Sequence, residues 1–270
     1  MNRKWTMLVL AGISSALTAK DIRIVTPYFG VIENKLMYRH QTINRTMEME
    51  DSAPVGGLYV QWIDPGRYQW NVFIYGSQDI NKSDILGSHF ILDVYPFEWA
   101  GGKTVFGAGL DCIRIDTDGN VSPVLSNFKM VNRIYAPYIR AGQYVYLGDS
   151  MHKLSLLPWA GVEMEYVRGD MSYLLNLPGI PPIPDEAEID EEDRYTLLGL
   201  NAKFTLYHFI ELSAKYYYKI SMNESENLHT FSAMCNLYLS RRIGLSYRFK
   251  SIEVSVSKNT YHIGGVAWLF

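Results

Sequence analysis

The chain of 270 residues predicts an all-β fold: a closed antiparallel up-and-down transmembrane β-barrel of about 12 strands. Three observations predict it. Apolar and polar residues alternate with period two in segment after segment, the mark of strands with one apolar face. Aromatic residues are 14% of the chain, yet after residue 19 no apolar run reaches the roughly 20 residues that a spanning helix needs. The alternation runs to the last residue, where Val266, Trp268 and Phe270 share one face.

Residues 1 to 19 read as a secretory signal. Asn2-Arg3-Lys4 supplies a positive start, Met7 to Leu17 an apolar and small-residue core, and small residues permit cleavage after Ala16 or Ala19. Leu10-Ala11-Gly12 begins like a lipoprotein box, but Ile13 stands where the lipidated Cys has to be. Residues 20 to 270 then form a single domain, with no repeat, low-complexity tract or linker.

Strands are expected at 22–44, 56–63, 67–75, 85–96, 103–116, 132–147, 156–175, 194–206, 209–220, 228–239, 243–258 and 261–270. The first is long and contains Pro27 and Gly30, so an extra hairpin or a plug segment also fits it. The second sets Leu58, Val60 and Trp62 against Tyr59 and Gln61. The third sets Tyr68, Trp70, Val72 and Ile74 against Gln69 and Asn71, and the fourth Phe90, Leu92 and Val94 against His89, Ile91 and Asp93. In the fifth and tenth, Cys112 and Cys235 fall on the apolar faces and read as small hydrophobes rather than a disulfide. The seventh opposes Ala160, Val162, Met164 and Tyr166 to Glu163 and Glu165, and the eighth Leu198, Leu200, Ala202 and Phe204 to Asn201, Lys203 and Thr205. The ninth has the clearest pattern: Ile210, Leu212, Ala214, Tyr216, Tyr218 and Ile220 against Glu211, Ser213, Lys215, Tyr217 and Lys219. In the eleventh the apolar set passes from odd (Ile243, Leu245, Tyr247, Phe249) to even (Ile252, Val254, Val256), which a bulge near Lys250-Ser251 or a tight turn would produce. Ten or 14 strands therefore stay open.

With this signal, these alternating strands and the closing run ending Val266-Ala267-Trp268-Leu269-Phe270, the chain resembles the bacterial outer-membrane β-barrel proteins, whose last strand characteristically ends in Phe. The resemblance is to an architecture. It implies residence in the outer membrane, contact with outer-membrane lipid and lipopolysaccharide, and assembly by the barrel-assembly machinery through the strand that carries Val266, Trp268 and Phe270. An even strand number returns both ends of the barrel to the periplasm. Counting back from Phe270 makes 46–53, 76–84, 117–130, 178–193, 222–227 and 259–260 outer loops, and the connections at 64–66, 97–103, 148–154, 206–208 and 240–242 periplasmic.

The inward faces then carry Asp93, Asp111, Arg140, Glu163, Glu165, Lys203, Glu211, Lys215 and Arg248, charges of both signs. Lining a channel, opposed charges set a transverse field that selects small hydrophilic solutes. In a closed barrel the same residues pair across the lumen and hold it together. The leading expectation is a narrow pore; the alternatives are a structural or surface-binding barrel without transport and an outer-membrane lipid hydrolase. The six histidines, His40, His89, His152, His208, His229 and His262, form no nucleophile and base constellation or metal-ligand spacing, so no catalytic residue, metal site or cofactor is expected.

Pro178 to Pro184 followed by seven carboxylates in Asp185–Asp193 reads as a solvated outer loop, with gathering of divalent cations beside lipopolysaccharide as its functional alternative. Asp116-Thr117-Asp118-Gly119-Asn120 is an ordinary turn, its Gly too early for a calcium loop. Trp99, Trp159, Trp268, Tyr144, Tyr146, Tyr173, Tyr195 and Tyr216–Tyr218 are expected in interfacial girdles or on the lipid face. The net charge is −3, and losing Arg3 and Lys4 with the signal leaves −5. No basic cluster supports nucleic-acid binding.

Overall fold

The computed structural model describes residues 22–40, 45–64, 67–80, 83–99, 101–119, 125–149, 151–176, 181–207, 209–223, 227–240, 242–254 and 257–270. The signal segment lies outside them. The strands among the described residues are β1 Ile22–His40, β2 Arg45–Asp64, β3 Tyr68–Ile80, β4 Ser83–Val94, the two-residue β5 Glu98–Trp99, β6 Gly102–Gly119, β7 Leu125–Gly148, β8 His152–Leu175, β9 Ile183–Leu206, β10 Ile210–Ser221, β11 Leu228–Tyr238, β12 Ile243–Val254 and β13 Ser257–Leu269. Each long strand pairs antiparallel with its neighbours; β4 pairs with β6 and β1 with β13, so the sheet closes into a barrel of 12 long strands. The base is the end holding Ile22 and Leu269; the crown is the opposite end.

Closure gives each long strand a partner on both sides along the body of the barrel, which is what a wall in lipid requires. The outer face carries a belt of large apolar side chains, among them Phe29, Phe90, Phe106, Ile139, Leu198, Leu200, Leu212 and Leu245, all exposed. Val266, Trp268 and Phe270 belong to the same exposed surface. Cys112 and Cys235 are free thiols. At the base, tight turns need little sequence: Asp149 accepts hydrogen bonds from the backbone N–H groups of His152 and Met151, both at 2.7 Å, and these hold its carboxyl below the ordinary carboxylate range.

The first segment is one strand as expected: residues 22–40 form β1, with Pro27 and Gly30 inside it and neither hairpin nor plug among them. Three expectations are corrected. The apolar phase change in β12 is neither bulge nor turn, because pairing with β13 runs unbroken from Ile243↔Trp268 to Val254↔Ser257. Ile252 simply faces inward, onto an apolar part of the lumen. Asn259 and Thr260 lie within β13, not in a turn. Finally, most of the expected outer loops are strand. Residues 46–53 belong to β2, 125–130 to β7 and the acidic run 185–193 to β9, paired with β8 from Ile183↔Leu175 onward. Beyond the bilayer both faces of a strand meet water, so period two fades while the backbone continues to pair.

β7, β8 and β9 are 24 residues each, where about 9–11 residues cross a membrane. They are therefore about twice as long as a crossing needs. β10 stops at Ser221 opposite Tyr195, leaving the upper part of β9 paired with β8 alone. Seven carboxylates along such an edge repel a second copy and guard against edge-to-edge pairing. Alternation also sends neighbouring carboxylates to opposite faces. Among the described residues, no group of three or more His, Cys, Asp or Glu side chains is arranged to hold a metal ion.

Candidate functional site: the barrel lumen

Period two decides which side chains enter the lumen, and register decides at what height they meet. From base to crown the lumen has three zones. Near the base it is polar. Lys203 on β9 and Glu211 on β10 pair at 2.5 Å, Lys203 being half exposed. Asn236 donates to Glu211 at 3.4 Å, Ser246 donates to Asn236 at 2.6 Å, and Tyr28 meets Ser246 at 2.6 Å. The Lys103 ammonium sits 3.5 Å from the Tyr95 ring centroid, and Tyr144 stacks on Tyr146.

The middle zone holds the charges. Arg140 grips Asp93 through Nη2 at 2.8 Å to each carboxylate oxygen, with both side chains buried. Arg140 also lies 5.2 Å from the Trp159 ring, which donates through Nε1 to Asn201 at 3.1 Å. His89 contacts Asp111, both retaining 15% side-chain exposure although they point inward. Lys219 pairs with Glu163 and, at 3.3 Å, with Glu165, all three almost fully buried. Lys215 stands over Trp159 and Tyr217, and Arg248 over Tyr59 at 4.2 Å. Large rings fit here because glycine stands opposite them: a Cβ on Gly109 would strike Tyr138, and one on Gly199 would strike Trp159.

Toward the crown the lumen turns apolar. Ile32, Ile85, Ile113, Ile115, Ile134, Val167 and Ile252 pack with Tyr75 and Tyr261 into one buried cluster. These side chains occupy the interior of the barrel and are nearly or wholly inaccessible to water. They form a collar that narrows the lumen above the charged zone. Polar pairs at the same end, Asn34 with Asn259 and Ser83 with Thr117, both at 2.6 Å, tie adjacent strands above it.

The nine sequence-predicted lining residues thus sit on inward faces, and four pairings unite most of them: Asp93 with Arg140, Asp111 with His89, Glu163 and Glu165 with Lys219, and Lys203 with Glu211. Lys215 and Arg248 take aromatic rather than carboxylate neighbours. Sequence reasoning omitted His89, Lys219 and Lys250 from the lining. Lys219 shares the odd parity of Glu211 and Lys215 and was findable on that ground; Lys250 is hidden by the phase change in its strand. The girdle assignment fails for Trp159, Tyr173, Tyr195 and Tyr217, which are buried inside, and for Tyr144 and Tyr146, which stack on each other in the lumen near the base. An aromatic ring suits a lumen filled by side chains as well as it suits an interface. Trp99 and Trp268 remain exposed at the base.

Sequence comparison returns no matching family model and no matching curated protein. Solved structures do match. The chain is similar to the translocator domain of autotransporter NalP from Neisseria meningitidis, with a TM-score of 0.51 at 10% identity, covering 99% of this chain and 95% of that one. It is also similar to the KdgM porin, with a TM-score of 0.44 at 10% identity over 91% and 99% of the two chains. The outer membrane protease OmpT from Escherichia coli gives 0.45 at 8% identity over 94% and 98%. Likeness at such identity is likeness of fold: the chain has the outer-membrane β-barrel architecture.

Proposed function

We propose that the protein resides in the bacterial outer membrane and passes small hydrophilic solutes through a narrow lumen that rests constricted. The apolar outer belt supports the location, since so much exposed apolar surface is tolerable only against lipid. The observation that carries the pore reading is the middle zone. His89, Asp111, Lys215, Ser232, Arg248 and Lys250 all point inward, yet none is fully buried, so polar, water-accessible space persists between the walls. Acidic groups concentrate on β4, β6 and β8 and basic ones on β10 and β12, which sets a field across the path. In planar bilayers the purified barrel is expected to show discrete conductance steps. Their complete absence across a range of voltage would overturn the pore.

A second reading, a closed barrel that serves as scaffold or surface element, is favoured by the isoleucine collar. Both readings share assembly through the strand carrying Val266, Trp268 and Phe270, with lipid, lipopolysaccharide and the assembly machinery as partners. Phe270→Ser is expected to lower the heat-modifiable, folded fraction recovered from outer membranes while leaving refolding in detergent intact. Equal recovery of the two proteins would remove Phe270 from assembly.

A further inference from the structure

The charges of the middle lumen do not cancel. Asp93 has Arg140 in contact and Glu163 and Glu165 share Lys219, while Asp111 meets the ring of His89, which is a cation only when protonated. The remaining cations differ. Among the described residues, Lys215, Lys250 and Arg248 have no carboxylate within ion-pairing distance; Lys215 and Arg248 lean on aromatic rings instead. Asp111 acts on Lys215 and Lys250 only from beyond contact range.

Register brings these groups together. Lys215 on β10 lies opposite Ser232 on β11, and Ser232 opposite Lys250 on β12. The three therefore form one inward row, with the lysine backbones two strand spacings apart, about 9–10 Å. Flexible stems of that length let both ammonium groups converge on one ligand. Arg248, two residues along β12 from Lys250, joins the row from the base side. Facing it is a second set of donors without acceptors: Arg140 Nη1 and Tyr138 Oη are buried and make no hydrogen bond. Trp159 links the two sets, lying 5.2 Å from Arg140 and 5.8 Å from Lys215.

Buried donors are nearly always satisfied, and a guanidinium or ammonium can be satisfied only by an acceptor. We infer that Lys215, Ser232, Lys250 and Arg248, with Arg140 Nη1 and Tyr138 Oη opposite, form a lumenal binding site for small hydrophilic anions bearing several oxygens, such as polycarboxylates. This deepens the pore reading by naming the class of solute, and as a statement about transport it rests on that reading.

Two measurements separate the site from the pore. The first is reversal potential in bilayers under a salt gradient, where the wild-type barrel is expected to favour chloride and Lys215→Glu with Lys250→Glu to favour potassium. The second is calorimetric titration of the detergent-solubilised barrel with citrate. There Lys215→Gln or Lys250→Gln is expected to weaken binding about tenfold each, as loss of a charged hydrogen bond predicts, while Lys215→Arg retains it. Heat-modifiable migration establishes that every variant is folded. A conducting barrel that neither prefers anions nor binds citrate overturns the anion site and leaves the pore standing. Citrate binding that depends on both lysines, in a barrel that never conducts, overturns the pore and leaves the site. A barrel that does neither overturns both.

Discussion

Lys219→Met is expected to destabilise the barrel by about 3–5 kcal/mol, the cost of stripping a buried charge of its counterion. Glu163 and Glu165 are both fully buried and both contact that ammonium, and Glu163 Oε2 lacks a hydrogen-bond partner. Without Lys219 the carboxylates repel each other inside a wall that offers no water. Unfolding in urea from detergent micelles or vesicles measures the loss. Glu163→Gln and Glu165→Gln added to Lys219→Met should recover most of it, because neutral amides remove the uncompensated charge. A single Lys219→Met barrel as stable as wild type would mean that water reaches the cluster and that the middle zone is wider than its packing implies.

The second large effect concerns the collar. Ile113→Ala together with Ile252→Ala is expected to raise conductance sharply, because both side chains belong to the apolar cluster that fills the crown side of the lumen. Apolar constrictions exclude water, and widening one lets it wet. The same change costs stability, about 2–5 kcal/mol for each buried isoleucine truncated. Bilayer recordings and urea unfolding on the same preparation read both effects. Lost stability with unchanged current would show that the collar packs the barrel without gating it.

What could be read from the sequence follows from where water lies. In β10 the lipid side is apolar and the lumen side charged, so alternation exposes strand, face and lining together, down to Glu211 and Lys215. Where the lumen itself is apolar the contrast vanishes. Ile113 and Ile115 point inward from β6 while Phe106 and Leu110 point outward, and by composition the two sets look alike. Ile252 reverses the apolar phase of its strand because the chemistry of the lumen changes there while the register does not. The converse loss occurs above the membrane, where polar residues on both faces made the upper half of β9 read as a loop. Pairings between strands that are not neighbours in the sheet, such as Lys219 on β10 with Glu163 on β8, lie beyond sequence reasoning because they depend on strand stagger, which no local pattern encodes.

The joint between β1 and β13 also bears on how the barrel forms. Asn34 donates to Asn259 across 225 residues of chain, whereas every other joint connects strands adjacent in sequence, β4 and β6 being interrupted only by the short β5. Hairpins can therefore zip one after another, but β1 keeps an unpaired edge until β13 arrives. Contacts between distant parts of a chain form slowly, and an open sheet with two bare edges is a template for wrong partners. At this joint β1 also carries Pro27, which has no N–H to contribute to a ladder, and no pairing with β13 is made between Val25↔Trp268 and Tyr28↔Gly265. Closure is thus expected to be the last step of folding, and the place where a barrel still in assembly is easiest to hold open.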